Sequence, residues 1–160
     1  MKALVVYYSL TGKTKMVAQV IAEALDARVL EIKETKPKKP GFLTYLVGSY
    51  KAMRNIGSEI SPIDVYVKQY DTIFIGSPVW ASRPAPAINS FIYGTGFADS
   101  SVIPFLTMGG KNSDKALANI KAKIERSQGR VAGSFAITSY KVSDEEIIAK
   151  AKEAIKGYSN

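Results

Sequence analysis

Short apolar runs alternate with segments of helical periodicity five times along this chain, and this alternation limits its possible folds more than any other feature. The predicted strands are residues 3–7, 28–32, 73–75, 103–107 and 131–137. The predicted helices begin at Thr14, at Phe42, at Pro84 or Pro86, before Leu117 and after Ser143. Five such units in sequence predict an α/β fold: a doubly wound, five-stranded parallel sheet with helices on both faces and right-handed crossovers.

Residues at the predicted helix boundaries support this division. Pro84 or Pro86 suits the first turn of the third helix, because that turn does not use the N–H group that proline lacks. Gly129 is predicted to close the fourth helix in a left-handed conformation. Ser143 and Glu146 have the spacing of a capping box at the start of the fifth helix.

The composition excludes several kinds of chemistry. With 160 residues, 46% of them hydrophobic, residues 1–160 are predicted to form a single domain with a sizeable core. The chain has no cysteine and no histidine, which excludes disulfides, thiolate nucleophiles, imidazole bases and the commonest zinc sites. Any chemistry therefore needs a borrowed group, and we assign no catalytic side chain and no metal ligand.

Charge and hydropathy limit the expected location of the protein and the partners that it can bind. The apolar N-terminal run is far shorter than the core of a signal peptide, and no stretch approaches the roughly 20 apolar residues of a membrane span. We expect a cytoplasmic protein without membrane insertion. Lys and Arg number 22 against 14 acidic residues, which favours an anionic partner without identifying it. The densest lysine cluster, residues 33–39, is typical of a solvated loop.

The turn after the first strand has three hydroxyl residues and one glycine: Ser9, Leu10, Thr11, Gly12, Lys13 and Thr14. It ends like a nucleotide P-loop, but Tyr7 occupies the first-glycine position, and no aspartate ends strand three or four. Hydroxyls at a helix N-terminus can bind a phosphate. Lys13 and Lys15 strengthen this reading, since the helix dipole disfavours cations there unless an anion is near. The alternative is a helix capped by Ser9 or Thr11, with solvated lysines.

Two further loops follow strands three and four, at the same predicted edge of the sheet. Residues 77–86 place Trp80, the only tryptophan, in a proline-rich loop, where its ring either presents a flat face to a ligand or caps the core. In residues 107–113, Gly109 and Gly110 permit close approach of the backbone to a ligand, or form an ordinary turn. In doubly wound folds, ligands bind outside the carboxyl ends of the strands. The three loops together therefore predict one ligand site.

These motifs resemble those of the flavodoxins. Residues 9–14 match the family's phosphate-binding pattern [ST]-x-T-G-x-T at every fixed position, directly after a first strand. "GSPVW" with "RPAPAINSFI" is similar to the first loop beside the flavin ring and the helix that follows it. "PFLTMGGKNSDKAL" resembles the start of the second flavin loop, and "GFLTYLVGSYKAMRN" a segment of some short flavodoxin-like proteins. The resemblance covers essentially the whole chain and implies FMN as cofactor and the strand order 2-1-3-4-5.

The resemblance also implies roles for particular residues. Ser9, Thr11 and Thr14, with the backbone of Leu10, Gly12 and Lys13, correspond to the positions that hold the FMN phosphate. Pro78, Val79, Trp80, Ala81 and Ser82 correspond to the loop beside the isoalloxazine, with Trp80 stacking on the ring or meeting its edge. Thr107, Met108, Gly109 and Gly110 correspond to the other margin of the ring. The fifth strand reads as uninterrupted, which is typical of short flavodoxins.

The chain departs from the better-known flavodoxins in two ways. Residues 107–113 contain no aromatic, so the second ring face is either open or covered by Met108 or by an aromatic of residues 42–50. Those proteins are acidic, whereas this chain has a net charge of +8 and places Lys13, Lys15, Arg83 and Lys111 near the predicted site. A cation near the ring favours the reduced, more negative flavin, so we predict a less reducing couple than in acidic flavodoxins.

The resemblance implies an electron carrier that shuttles between redox partner proteins. By charge complementarity we expect acidic redox partners, such as a ferredoxin-like protein or a reductase. We also expect no nucleic-acid partner, and a monomer or weak dimer. The first alternative is an FMN-dependent NAD(P)H oxidoreductase that reduces a quinone or another small acceptor. The second is a flavin-free signalling or nucleic-acid-binding module, which only the charge suggests.

Overall fold

The apolar runs form the strands of one sheet, and the helical segments pack on it. The structure is a computed structural model, which describes residues 2–98, 100–110 and 112–158. The strands are β1 (Ala3–Tyr7), β2 (Arg28–Glu31), β3 (Thr72–Trp80), β4 (Arg83–Pro84), β5 (Ser101–Met108), β6 (Arg130–Val131) and β7 (Phe135–Thr138). The α-helices are α1 (Lys13–Leu25), α2 (Phe42–Met53), α3 (Pro86–Gly94), α4 (Asp114–Arg126) and α5 (Asp144–Ile155), and 3-10 turns span Val67–Gln69 and Lys156–Tyr158.

The strand order confirms the predicted topology. The strands run β2-β1-β3-β5-β6, with β7 also paired to β5 and the short β4 folded back on β3. Leu4 of β1 lies opposite Arg28 on one side and Ile73 on the other, and both pairings are parallel. With β5 as the fourth strand and β6 and β7 in the fifth place, this is the predicted order 2-1-3-4-5. The carboxyl ends of β1, β3 and β5 consequently lie at one edge of the sheet.

Helices cover both faces of the sheet, as the continuous apolar runs require. On one face, α1 and α5 pack on a buried cluster that includes Val5, Phe74 and Phe105. On the other face, α3 and α4 pack on a cluster that includes Leu4, Ile73 and Ile75, with α2 contributing only Ala52. No helix in the described part of the chain is long and apolar enough to cross a bilayer.

The fifth strand is interrupted, which corrects the prediction of one continuous strand over residues 131–137. Val131 of β6 lies opposite Val102, and Phe135 of β7 lies opposite Phe105. Four steps along this strand thus match three along β5, so the interruption accommodates one extra residue, as in a β-bulge. Gly133 lies in the break, and the ring of Tyr158 packs where a side chain at that position would stand. The break is three residues long, with no inserted segment.

Two helix ends differ from their predictions. Gln128, not Gly129, takes the left-handed conformation after α4, with a φ of 65°. Gly129 is needed for a different reason: a Cβ there would lie 2.7 Å from Ile124 and 3.0 Å from Val102. At the start of α5, the Ser143 hydroxyl accepts a hydrogen bond of 3.2 Å from the backbone N–H of Glu146, as a capping box requires. The Glu146 carboxylate, however, pairs with Lys150.

Candidate functional site

The turn between β1 and α1 ends in a helix N-terminus that has no side-chain cap. Gly12 is the N-cap residue, with a φ of 91° that favours glycine, and its own N–H donates to Ser9 Oγ at 3.0 Å. Neither Ser9 nor Thr11 caps the helix, and the first turn of α1 contains no acidic residue. The first N–H groups of α1 therefore face outward from a turn that is suited to an anion.

Lys13, in the first turn of α1, pairs with a carboxylate of the protein itself. Lys13 Nζ lies 2.6 Å from Asp144 Oδ1, at the start of α5. This ion pair offsets the unfavourable interaction of Lys13 with the α1 dipole. The lysine therefore does not by itself require a bound anion, and its position is weaker support for a phosphate site than the sequence alone indicated.

Thr14, in the first turn of α1, connects the start of this helix to strand β5. Its hydroxyl lies 2.7 Å from that of Thr107, and both side chains are buried. Both threonines were predicted site residues, from loops 93 positions apart. The hydrogen bond joins the first predicted loop to the third.

The second predicted loop is instead a β-hairpin. Strand β3 continues through Trp80, and β4 turns back so that Trp80 lies opposite Arg83. Ala81 and Ser82 form the two-residue turn, with φ values of 49° and 59°. Behind the hairpin, Ser77 Oγ accepts a 2.8 Å hydrogen bond from the N–H of Ala85. Periodicity missed this arrangement because Gly76, Ser77 and Pro78 interrupt the apolar run that forms β3.

Trp80 is a core residue as well as a wall of the site. Only 5% of it is exposed, and its ring meets Tyr8 and Tyr45 edge-on, with centroid distances of 5.9 and 6.1 Å. Helix α2 crosses the ring at Gly48, where a Cβ would lie 2.7 Å from the indole. Trp80 therefore caps the core, as one of the two interpretations from the sequence predicts, and it also borders the cavity described next.

A cavity of about 720 Å³ opens at the carboxyl edge of the sheet. Nine predicted site residues line it: Thr11, Lys13, Pro78, Val79, Trp80, Ala81, Thr107, Met108 and Gly109. The other lining residues are Tyr45, Ser49, Ser139, Tyr140, Lys141 and Val142. Its volume is within the usual range for small-molecule and cofactor sites. The structure thus brings the three predicted loops together at one cavity.

The remaining predicted site residues do not line this cavity. Ser9 and Leu10 line a second cavity of about 410 Å³, beside the buried carboxylate of Glu34. The wall of neither cavity includes Gly12, Thr14, Ser82 or Gly110. The β1–α1 turn therefore lies between two cavities, with Thr11 and Lys13 facing the larger one.

The loop after β7 is the part of the site that sequence reasoning missed. Tyr140 stands across from Gly109, where a Cβ on the glycine would lie 3.5 Å from the tyrosine Cβ. Lys141 Nζ lies 5.3 Å from the centre of the Tyr140 ring. One signal was available, because the carboxyl end of a fifth parallel strand lies at the same edge as the others. Tyr45 belongs to the segment, residues 42–50, that was expected to supply an aromatic.

The cavity wall carries cations and no carboxylate. Lys13 and Lys141 line it, and none of the described lining residues is acidic. Arg83, predicted as a local cation, is absent from the wall, and its charge acts instead on the buried Lys123. Lys111, also predicted there, lies outside the described residues. The described part of the chain contains no group of carboxylates able to hold a metal ion.

Two tyrosines at the end of β1 stay neutral at high pH. Burial, together with Glu31, raises the pKa of Tyr7 to about 12. Burial and Glu34 raise the pKa of Tyr8 as well, and the Tyr8 hydroxyl lies 3.2 Å from the Glu34 carboxylate. Lys38 contacts the other oxygen of that carboxylate at 2.8 Å. This network fixes the strand end from which the β1–α1 turn begins.

The solved structures that resemble this chain include flavoproteins and flavodoxins. A flavoprotein from Lactobacillus acidophilus NCFM, crystallised in complex with FMN, is 25% identical, with a TM-score of 0.74 over 93% of this chain and 97% of that one. A flavoprotein from Bacteroides uniformis is 28% identical, with a TM-score of 0.74 over 97% of each chain. A flavodoxin, WrbA-like protein from Agrobacterium tumefaciens shares the fold at 17% identity, with a TM-score of 0.64 over 99% of this chain and 96% of that one.

The family comparison agrees with the structural one. No curated protein matches the sequence significantly. The family model described as Flavodoxin matches residues 2–135, which include β1 to β6 and every predicted site residue. Together with the strand order and the position of the cavity, this match shows that the chain belongs to the flavodoxin family.

Proposed function

We propose that the chain binds FMN in the 720 Å³ cavity and carries electrons between redox partner proteins. The observation that carries the proposal is the joining of an uncapped helix N-terminus to a largely apolar cavity at the carboxyl edge of the sheet. Membership of the flavodoxin family and the FMN bound by the 25% identical Lactobacillus protein support it. When bound, FMN supplies reversible uptake and release of electrons, which no side chain of this protein can provide.

The residues of the cavity fit the two parts of FMN. A terminal phosphate is matched by the free N–H groups at the start of α1 and by the Thr11 hydroxyl. A flat, largely apolar ring is matched by Pro78, Val79 and Met108. Tyr140 offers the aromatic that residues 107–113 lack, on the side of the cavity bordered by Gly109.

The protein's own part is to bind the cofactor, exclude water and set its potential. Trp80 and its aromatic neighbours form a buried wall that orders little further on binding. Lys141 contributes positive charge at the cavity wall, uncompensated by any described acidic lining residue. A nearby cation stabilises the electron-rich form of a flavin, so we keep the prediction of a less reducing couple than in acidic flavodoxins.

The test begins with the visible spectrum of the purified protein after incubation with FMN and gel filtration. A yellow protein with flavin bands at one FMN per chain is expected. A colourless protein that takes up no FMN would overturn the proposal.

Turnover with NAD(P)H and a quinone then distinguishes an electron carrier from an enzyme. A carrier shows negligible turnover without a reductase, whereas rapid turnover would replace the carrier role with that of an NAD(P)H oxidoreductase. A midpoint potential as low as that of acidic flavodoxins would contradict only the predicted effect of the cations on the potential.

A further inference from the structure

Helix α2 is packed with its small residues inward and its large apolar residues outward. Its only buried residues are Gly48 and Ala52. The outward residues form an apolar stripe along the helix: Phe42, Leu43, Leu46, Val47, Tyr50 and Met53. These side chains are between 44% and 83% exposed. An amphipathic helix of a water-surrounded protein ordinarily has the opposite arrangement, and a contiguous exposed apolar patch marks an interaction surface.

The same part of the chain concentrates the positive charge. Residues 33–58 contain five Lys and one Arg against one Glu, a net charge of +5 out of +8 for the whole chain. The single acid, Glu34, is buried and paired with Lys38. The Thr44 hydroxyl donates to the Lys39 carbonyl at 2.8 Å, which holds the lysine-rich loop beside the start of α2. Lys51 and Arg54 lie at the other end of the helix, so cations flank the apolar stripe at both ends.

We propose that α2 docks this protein on an anionic lipid surface, with the apolar stripe in the interfacial layer and the flanking cations against the lipid headgroups. An amphipathic helix with large apolar residues on one face and Lys or Arg beside it binds membranes in this way. This surface attachment differs from a membrane span, and it revises the expectation of no membrane insertion, which considered only the length of apolar stretches. The docking goes beyond the proposed function and does not depend on it.

Two other occupants fit the surface less well. A second copy of the chain would place two regions of +5 charge face to face, with no described acid in the first turn of α2 to compensate. A protein partner would need hydrogen bonds, which protein interfaces contain at roughly one per 100–200 Å². The stripe offers one side-chain hydrogen-bonding group, the Tyr50 hydroxyl. Its projecting side chains are better accommodated by a fluid layer.

The docking would bring the cavity close to the bilayer. Tyr45 and Ser49, on the flank of α2 between its packed face and the apolar stripe, line the cavity wall. Attachment through the stripe therefore presents the neighbouring cavity mouth toward the lipid headgroups.

The experiment is co-sedimentation of the purified full chain with vesicles of phosphatidylcholine, with and without about 30 mol% phosphatidylglycerol. We expect binding to the anionic vesicles that weakens with added NaCl, and little binding to the neutral ones. The double variant Leu43→Ser with Leu46→Ser should reduce the binding constant about tenfold or more. The variant Lys36→Gln with Lys39→Gln should reduce it by a similar factor.

Matched controls separate the stripe from general surface properties. Tyr66→Ser removes another exposed aromatic, and Lys150→Gln with Lys152→Gln removes two exposed cations of α5, so neither should change vesicle binding. Unchanged circular dichroism shows that each variant is folded.

Absence of binding to anionic vesicles at low salt would overturn the proposal, as would equal binding of the leucine variant. A dimer that the leucine variant dissociates, or an acidic protein bound without vesicle binding, would assign the surface to that occupant instead. A colourless protein that binds vesicles would retain this inference and remove only the proposed function.

Discussion

The ammonium group of Lys123 donates a hydrogen bond of 2.7 Å to Oδ1 of Asn89, and both side chains are buried where α4 meets α3. The ion pairs found in the described part of the chain do not include Lys123. Burial, reinforced by the positive charges of Arg83 and Arg126, lowers the pKa of Lys123 to about 8 from its usual 10.5. A buried cation with an amide as its partner makes the stability of the protein depend on pH.

This arrangement predicts that the native state becomes more stable as the pH rises above 8. Between the native pKa of about 8 and the unfolded value of 10.5, the unfolded chain binds more protons, so the free energy of unfolding increases with pH. The gain between pH 7 and pH 9.5 is about 2 kcal/mol. Urea unfolding across this range measures it. The window ends near pH 10, where unfolded tyrosines ionise while Tyr7 and Tyr8 stay neutral, which lowers stability.

Lys123→Met is the matched variant for this pH dependence. It keeps an unbranched side chain and removes the titrating group, so its stability should lack the rise that the native chain shows between pH 8 and 9.5. Lys121→Gln, at a more accessible position of the same helix, should keep the rise. Parallel curves for the native chain and Lys123→Met would show that Lys123 does not titrate in this window.

Periodicity and boundary residues predicted much of the fold, because they report the faces that a sheet buries. Residues 3–7 were predicted as a strand at the bounds that β1 has, and α2 begins at the predicted Phe42. Errors arose where a distant contact decides the local structure. Gly129 is required by the packing of Ile124 and Val102 against it, which spacing within the chain does not reveal.

Part of the candidate site could also be predicted from the sequence. Loops after successive parallel strands meet at one edge, so Thr11, Trp80 and Met108 could be grouped before their positions were known. Tyr140 was missed, since its place across from Gly109 depends on how the interrupted fifth strand ends. The ion pair between Lys13 and Asp144 links residues 131 positions apart, so no local sequence pattern predicts it.

Gly48→Ala should destabilise the protein although alanine favours helices. The helix propensity gain is at most about 1 kcal/mol. A Cβ at Gly48 would lie 2.7 Å from the rigid Trp80 ring, and overpacking of this kind costs about 1–3 kcal/mol. We expect a net loss in the free energy of unfolding and a shifted emission of Trp80, the only tryptophan. Gly94→Ala is the control: nothing lies within 4 Å of a Cβ there, so stability should stay equal or rise. Equal stability of Gly48→Ala and the native chain would contradict the close packing.

Thr107→Val should weaken both stability and FMN binding. It removes one partner of the buried 2.7 Å hydrogen bond and leaves the Thr14 hydroxyl unpaired, which costs about 1–3 kcal/mol. Because Thr14 lies in the first turn of α1, the variant also loosens the proposed phosphate site, and we expect the FMN dissociation constant to rise by about tenfold. Urea unfolding and FMN fluorescence titration measure the two effects.

Two control variants test this prediction. Thr107→Ser keeps a hydroxyl and should restore most of both the stability and the FMN affinity. Thr138→Val, whose hydroxyl makes a long 3.4 Å contact with Gly110, should change little. An unaltered dissociation constant in Thr107→Val would separate the Thr14 contact from binding.

The ion pair between Lys13 and Asp144 predicts opposite effects of its two members on FMN affinity. Asp144→Asn removes a carboxylate beside the proposed phosphate site and frees the Lys13 ammonium, so FMN should bind about two- to fivefold more tightly at low salt. Lys13→Gln should weaken binding by a similar factor. The pair is partly exposed, at 33% and 55% of the two side chains, so its loss should change stability by at most about 1 kcal/mol. Glu145→Gln removes a carboxylate from the same first turn of α5 and is the matched control. Riboflavin, which lacks the phosphate, should bind all four proteins alike, because the charges act on the phosphate. If riboflavin affinity changes as FMN affinity does, the ion pair shapes the cavity rather than its field.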